Sequence, residues 1–186
     1  MNKKRNSVND IVKVGIFAAI TFLGIQIFRI PLPAAIGTPF VHFGHIFVVF
    51  GVFLLGGKLG AISGTLGLVI FDLVNGYLHA MPQVFVETII KCLILGMIFD
   101  LLKEQMKNQK SGELTAAVIS AAIYGMMGIL IEFVMGTIMM IVAGSKFIPA
   151  LIGSLTSIPA TVINAVFMVI VIALLYKPVK RIYARV

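Results

Sequence analysis

The chain has 186 residues, of which 60% are hydrophobic and 12% charged, and its mean hydropathy is +1.09. A soluble globular domain is about 45–50% apolar and about 25% charged, so this composition excludes a disordered chain, a nucleic-acid-binding module and an ordinary cytosolic enzyme. The formal net charge is +8, and the single cysteine, Cys92, cannot form a disulfide within the chain.

Six apolar stretches predict six helices. In chain order they cover residues 8–28, 43–55, 59–78, 84–102, 114–142 and 149–176. A helix needs about 20 apolar residues to cross the hydrocarbon core, so the second stretch is short and the last two are long. The stretches lack the period-two alternation of barrel strands, and helices are therefore the structure expected in lipid. The sequence predicts an all-α integral membrane protein, a six-transmembrane-helix bundle forming one membrane domain over residues 1–186.

The positions of lysine and arginine predict the orientation of this bundle. Twelve of the fifteen cations fall on the side of the two termini, whereas Arg29 and Lys146 fall on the other side and Lys91 lies within a segment. Cytoplasmic loops carry the excess of basic residues, so both termini are expected in the cytoplasm. The basic residues then set the orientation of the bundle in the membrane and contact membrane lipid. No nucleic-acid partner is predicted.

Small residues predict two smooth helix faces. Gly56, Gly60 and Gly64 recur every four residues, which is typical of close helix packing. In the first helix, Gly15 and Ala19 have the same spacing and Ala18 lies beside them. This second face is a candidate for docking to another membrane protein.

The outer loop over residues 30–41 is apolar and stiffened by prolines. It contains Pro31, Pro33 and Pro39, and Phe40 follows the last of them. Such a loop is typical of a cap that folds over a site. The alternative, a loop that lies on the bilayer surface, stays open.

Polar side chains inside the apolar stretches are the main functional signal, because a charge at membrane depth costs about 2.5–3.5 kcal/mol. In the predicted topology they lie in the outer halves or near the centres of several helices, with Asn164 near the middle of its segment. They are Asp72, Gln83, Glu87, Lys91, Glu132, Thr156 and Asn164, with His42 at an outer helix end. A channel needs a polar lining in both halves, so this asymmetry predicts a pocket that opens outward.

Several of these residues also allow purely structural interpretations. Glu87 and Lys91 lie one helical turn apart in the favourable order and can neutralise each other. Asp72 can cap or pair with a neighbour, and Asn164 can bridge two helices. Glu132 has no cation nearby in the sequence, which makes it the better candidate for contact with a ligand.

Metal and catalytic signatures are missing from the sequence. His42 and His45 are three residues apart, but no cysteine or acidic residue lies next to them, so no metal site is predicted. The sequence contains no nucleophile elbow, zinc-protease motif or nucleotide-binding loop, and no catalytic residue is predicted. Active transport by this chain would therefore need an ion gradient or the ATPase of a partner.

Three stretches carry a resemblance to a known family. They are VHFGHI at residues 41–46, the glycine-rich run LLGGKLGAISG at residues 54–64, and Phe71-Asp72-Leu73. With six predicted helices and an apolar first outer loop, the chain resembles the substrate-binding S components of energy-coupling factor (ECF) vitamin transporters over nearly its whole length. Among them it looks closest to those assigned to hydroxymethylpyrimidine or pyridoxine-type ligands.

The resemblance implies a function in the bacterial cell membrane. An S component captures a small vitamin from outside and docks through its first helix to a transmembrane coupling protein that carries two ATP-binding-cassette ATPases. The family's docking motif is alanine-x-x-x-alanine, and here Gly15 replaces the first alanine and Ala19 matches the second. The partner ATPases would use ATP and Mg, and this chain would bind no cofactor.

The resemblance also implies a site built by the outer parts of the later helices and capped by the first outer loop. The implied substrate-binding residues are Gln83, Glu87, Lys91, Glu132, Thr156, Asn164 and His42. Pro31, Pro33, Pro39 and Phe40 form the implied lid. Riboflavin would need a larger pocket, whereas pantothenate or biotin would need a cation such as Lys91.

Two other functions remain open at this point. The chain can be a stand-alone proton-coupled secondary transporter with Asp72 or Glu132 as the ion site. It can also be an intramembrane enzyme that uses Glu87 and the histidines, although no pair of nucleophile and base is evident.

Overall fold

The computed structural model describes residues 7–34, 39–78 and 80–185, and it is almost entirely helical. The elements are α1 Ser7–Gln26, β1 Ile30–Pro31, β2 Phe40–Val41, α2 Gly44–Leu55, α3 Gly57–Asn75, α4 Met81–Gln105, α5 Gly112–Val142, α6 Phe147–Ser154 and α7 Ile158–Tyr183. The predicted all-α class is confirmed.

Within the residues that the structure describes, four regions are long and apolar enough to cross a membrane. They are Val8–Gln26, Gly57–Asn75, Gly112–Val142 and Phe147–Tyr183. Helix α2 has 12 residues and is about 18 Å long at 1.5 Å per residue, so it is shorter than the hydrocarbon core of about 30 Å. Helix α4 is longer but carries five charged residues. The chain is a multi-pass membrane protein, and the count of six crossings stays a prediction.

Glycines fix the ends of α2 and α3. Gly56 has φ +86° and forms the turn between the two helices, and Gly76 has φ +79° and ends α3, where the Tyr77 N–H donates to the Asp72 carbonyl. A left-handed backbone favours glycine, which explains why α3 stops before residue 78.

The glycine face of α3 packs against α2. A Cβ on Gly60 would lie 2.6 Å from the Val52 backbone nitrogen, and one on Gly64 would lie 2.8 Å from Val48 Cγ1. The two helices therefore approach closely and run antiparallel. Gly56, predicted as the first member of this face, instead lies in the turn, where an added Cβ would meet nothing within 4 Å.

The predicted sixth helix, residues 149–176, is two helices. Helix α6 ends at Ser154, a turn follows, and α7 begins at Ile158 with Pro159 in its first turn. Proline has no N–H and its ring clashes with the carbonyl four residues earlier, so the helix restarts here. At its other end α7 continues to Tyr183, because a helix does not need to stop where its apolar residues do.

The end of the bundle that holds the α2–α3 turn has an apolar core. The Phe53 ring lies 4.4 Å from Phe99 and 5.8 Å from Tyr176, measured between centroids, and both contacts join different helices. Leu95 and Ile172 are fully buried beside them. The interior of the bundle is therefore apolar at this level.

The α2–α3 contact gives a test of this packing. Gly60→Ala should lower the melting temperature of the detergent-purified protein by about 5 °C, because backbone atoms of Val52 cannot yield and overpacking costs about 1–3 kcal/mol. Gly15→Ala is the matched control, since nothing lies within 4 Å of its added Cβ, and it should leave the melting temperature unchanged or raise it. A rise for both variants would contradict the close approach.

Candidate functional site

A cavity of about 380 Å³ lies at the end of the bundle opposite the aromatic core. Its walls come from β2, the first turn of α2, the last turns of α3, the first half of α4, the part of α5 from Tyr124 onward, the end of α6 and the first half of α7. The polar lining residues are His42, His45, Asp72, Gln83, Glu87, Thr88, Lys91, Tyr124, Glu132, Ser154, Ser157, Thr161 and Asn164. Lys91 is followed on α4, toward the aromatic core, by the buried apolar residues Cys92, Leu95 and Phe99. The cavity therefore does not continue through the bundle.

The structure brings six of the seven predicted binding residues to this cavity. They are His42, Gln83, Glu87, Lys91, Glu132 and Asn164. Thr156 lies in the turn between α6 and α7 and does not line the cavity, and its hydroxyl donates to the Gly153 carbonyl at 2.6 Å. The break in the predicted sixth helix turns Ser154 and Ser157 toward the cavity instead.

Lys91 carries the most deeply buried charge of the site, with 3% of its side chain exposed. It forms an ion pair with Glu87, one turn earlier on α4. Its Nζ atom also lies 5.0 Å from the centroid of the Tyr124 ring on α5, a cation–π distance. The ammonium group is therefore compensated within the protein.

Glu132 lies on a face of α5 that also contains three glycines. Gly125, Gly128 and Gly136 line the cavity on the same helix. Without side chains on these glycines, space remains beside the carboxylate. Within residues 7–34, 39–78 and 80–185, the Glu132 carboxylate has no hydrogen bond or ion pair, so it is available as an acceptor.

Asn164 fastens the loop strand β2 to α7. Its Oδ1 atom accepts a hydrogen bond from the His42 N–H at 2.9 Å, and its Nδ2 atom donates to the Phe40 carbonyl at 3.0 Å. One donor and one acceptor of the amide are therefore used by the backbone. This geometry favours the bridging interpretation of Asn164 over direct contact with a ligand.

The hydrogen bonds of His42 fix its protonation. The Gly44 N–H donates to His42 Nδ1 at 3.1 Å, so this nitrogen carries no proton. A neutral imidazole then has its proton on Nε2, which is left as a hydrogen-bond donor. On the next turn, His45 Nδ1 lies 3.3 Å from the Tyr124 hydroxyl.

Five rings form a row along one wall of the cavity. The centroid distances are 5.8 Å from Phe71 to Phe40, 5.3 Å from Phe40 to His42, 4.9 Å from His42 to His45 and 6.0 Å from His45 to Tyr124. Each distance lies within the range in which aromatic rings attract each other. Neighbouring rings are tilted by 45–64° to each other, so a flat ligand can stack on a single ring of this wall and contact the edges of the others.

The outer loop is a β-hairpin over this wall. Strand β1 pairs antiparallel with β2, with Pro31 opposite Phe40, and the Leu32 N–H donates to the Pro39 carbonyl at 2.8 Å. Pro39 and Phe40 line the cavity. Pro31 and Pro33, predicted as lid residues, lie on the exposed side of the hairpin and do not line it.

Arg29 holds the base of the hairpin to α3. Its guanidinium carbon lies 5.6 Å from the Phe40 ring and 5.5 Å from the Phe71 ring. Asn75 accepts a hydrogen bond from Arg29 at 3.4 Å and donates one to Gln26 at 2.9 Å. The loop is therefore anchored at two points: Arg29, which precedes β1, contacts α3, and Asn164 of α7 binds β2.

Two of the three small residues predicted for docking are exposed on α1. Gly15 and Ala19 lie at the surface, and nothing lies within 4 Å of a Cβ added to Gly15. Ala18 is instead buried against α3, where a Cβ on Gly67 would lie 2.6 Å from the Ala18 carbonyl oxygen. The face available to a partner is therefore the Gly15–Ala19 side of the helix.

Among the polar lining residues, sequence reasoning missed Thr88, Tyr124 and Ser154. A signal for Tyr124 was present, because Tyr124, Gly128 and Glu132 recur every four residues and so share a face of α5. The position of Ser154 had no such signal, since it depends on the break between α6 and α7.

Comparison with known proteins agrees with this architecture. A family model described as ECF-type riboflavin transporter, S component, matches residues 5–181. A search of curated proteins finds no match. Members of this family are substrate-binding subunits of vitamin uptake, which work with a module of ATPases and a transmembrane component. Because the match spans nearly the whole sequence, the chain belongs to the family of ECF-type transporter S components described by that model.

Proposed function

We propose that this chain is the high-affinity capture subunit of an ATP-driven importer for a small nitrogen heteroaromatic vitamin or precursor, of the hydroxymethylpyrimidine or pyridoxine type. The observation that carries the proposal is a cavity at one end of the bundle, covered by an anchored hairpin. Its lining contains a row of rings and the Glu132 carboxylate, which has no partner among the described residues.

The size of the cavity supports a small ligand. Ligand pockets range from about 300 to 1,000 Å³, and 380 Å³ lies near the lower limit. A single heteroaromatic ring with hydroxymethyl groups fits within this volume. One ring of the five-ring wall would stack against the ligand ring, and the polar groups would bind its edges.

The charges of the lining favour a neutral or cationic ligand. Asp72, Glu87 and Glu132 contribute three carboxylates, whereas Lys91 contributes one ammonium group that Glu87 already pairs with. An anionic vitamin such as pantothenate or biotin would therefore meet excess negative charge. Glu132 would instead accept a hydrogen bond from a ring N–H, an amino group or a hydroxyl, and His42 Nε2 would donate one.

The cation distribution supports a cavity that opens outside the cell. Among the described residues, nine lysines and arginines lie at the end that holds both termini, whereas Arg29 and Lys146 lie at the hairpin end. By the positive-inside rule, we infer cytoplasmic termini and six crossings, with α6 and α7 together forming the last. The partner coupling protein and its two ATPases would use ATP and Mg, and this chain would bind no cofactor.

The exposed Gly15–Ala19 face of α1 is the proposed docking surface for the coupling protein. Small residues allow a second helix to approach closely in a membrane. Around them α1 exposes large apolar side chains, among them Ile11, Val12 and Ile16.

The direct test of the ligand is mass spectrometry of small molecules that co-purify with the protein, followed by calorimetry. Titrations with hydroxymethylpyrimidine, pyridoxine and riboflavin should give tight binding for one of the first two. Binding of riboflavin alone would contradict the proposed ligand class while leaving the capture function intact. No binding of any vitamin would contradict both.

Glu132→Gln should weaken binding of the identified ligand by more than about tenfold, or 1.4 kcal/mol, because a charged acceptor is replaced by a neutral amide. Glu104→Gln, at an exposed position on α4, is the control and should bind like the wild type. Unchanged affinity of the Glu132 variant in calorimetry would remove this carboxylate from the site.

Asn164→Ala should loosen the hairpin in the ligand-free protein. The His42 N–H and Phe40 carbonyl would lose their partners, each worth about 0.5–1.5 kcal/mol, so amide hydrogen exchange in residues 40–43 should accelerate about tenfold. Val162→Ala, an exposed position on the same helix, should have no effect. Equal exchange in both variants would show that other contacts hold the hairpin.

The double variant Gly15→Leu and Ala19→Leu should bind the ligand normally but abolish uptake in vesicles that contain the complete importer. Leucine side chains would hold the partner helix away from α1. The control, Val166→Leu with Ala173→Leu, enlarges exposed positions on α7. Normal uptake by the α1 variant would contradict docking through this face.

A further inference from the structure

A second cavity, of about 570 Å³, lies at the opposite end of the bundle between the α4–α5 loop and the last turns of α7. Among the described residues, its lining contains six cations and one carboxylate, Glu113. The cations are Lys103, Lys107, Lys110, Lys177, Lys180 and Arg181. The vitamin site proposed above does not involve any of these residues.

The acidic groups around this cavity are already engaged. Glu113 forms ion pairs with Lys180 and, at 3.3 Å, with Lys103, and it accepts a hydrogen bond from the Tyr176 hydroxyl at 2.9 Å. Lys107 forms an ion pair with Glu104, outside the lining. Glu113 therefore ties α4, α5 and α7 together and leaves most of the positive charge uncompensated.

Three of the cations have no acidic partner within the described residues. Lys177 and Arg181 lie one turn apart on α7, and Lys110 comes from the α4–α5 loop. Like charges at this helical spacing repel each other. An anion in the cavity would relieve this repulsion and would meet the planar guanidinium of Arg181, which suits two oxygens of a phosphate group.

The same face of α7 changes from apolar to cationic along the helix. Ile170, Leu174, Lys177 and Arg181 follow one another at spacings of three or four residues, so they share one side of the helix. Ile170 and Leu174 are exposed, with 48% and 70% of their surface accessible. An elongated ligand along this face would contact apolar side chains at one end and a cluster of positive charges at the other.

We propose that this cavity binds the phosphodiester headgroup of an anionic phospholipid. Arg181, Lys177 and Lys110 bind the phosphate oxygens, and an acyl chain lies along Leu174 and Ile170. Basic pockets at the ends of transmembrane helices are suited to such headgroups. Inorganic phosphate shares the headgroup chemistry but has no chain for the apolar part of the face.

Native mass spectrometry of the delipidated full-length protein tests this proposal, with phosphatidylglycerol as the probe and phosphatidylcholine as the zwitterionic comparison. The wild type should bind phosphatidylglycerol at least tenfold more tightly, and a millimolar excess of inorganic phosphate should not displace it. Lys177→Gln with Arg181→Gln should weaken this binding roughly 25-fold, at about 1 kcal/mol for each cation.

Two matched variants separate a specific site from a general effect of charge. Lys58→Gln with Lys146→Gln also removes two exposed cations, but from outside the cavity, and should change the affinity less than twofold. The charge-conserving pair Lys177→Arg with Arg181→Lys should retain most of the binding.

Four results would overturn the proposal. Equal losses in the two glutamine variants would mean a general charge effect, and equal binding of both lipids would exclude headgroup recognition. Displacement by inorganic phosphate would identify free phosphate as the occupant. If the variant Lys177→Gln with Arg181→Gln retained lipid binding but no longer co-purified with the ATPase module, the cavity would be a protein interface.

Discussion

Burial of the Lys91 ammonium group is the constraint on which the arrangement of the site depends. An unpaired charge inside a helix bundle in lipid is costly, and the ion pair with Glu87 and the nearby Tyr124 ring remove that cost locally. Because both partners are provided by α4 and α5, these helices must keep their register for the cavity to exist. Glu132, further along α5, is then held at the same depth without a counter-charge.

The hairpin shows how an apolar loop becomes a defined cover. Its two strands are only two residues long, and a pair this short is not stable by itself. Asn164 and Arg29 supply the missing stability from α7 and α3, respectively. Opening would need loss of these few contacts and not the unfolding of a helix. The proposed capture of a ligand from outside needs such a cover.

Much of the fold and of the cavity could be predicted from sequence. Polar side chains in a membrane protein point into the bundle, and the order and direction of the helices give the depth of each one. This reasoning placed Glu87, Lys91 and Glu132 at one level, where the structure has them. The prediction for Thr156 was wrong, because the continuous apolar stretch gives no sign of the helix break before Pro159. Without that break, the direction in which each side chain points cannot be predicted. The partner of Asn164 could not be predicted either, since a backbone carbonyl 124 residues earlier leaves no pattern.

The two cavities have opposite charge, and this contrast argues for different occupants. Counted over the part of the chain that the structure describes, the lining of the cavity under the hairpin has three carboxylates and one cation, whereas the lining at the far end has six cations and one carboxylate. An anion would be repelled by the first lining and attracted to the second. Glu113 lies at the centre of the cationic end, where it joins α4, α5 and α7. These helices also form three walls of the cavity under the hairpin. A ligand bound among these cations would therefore contact the ends of the same three helices that position Lys91, Glu132 and Asn164.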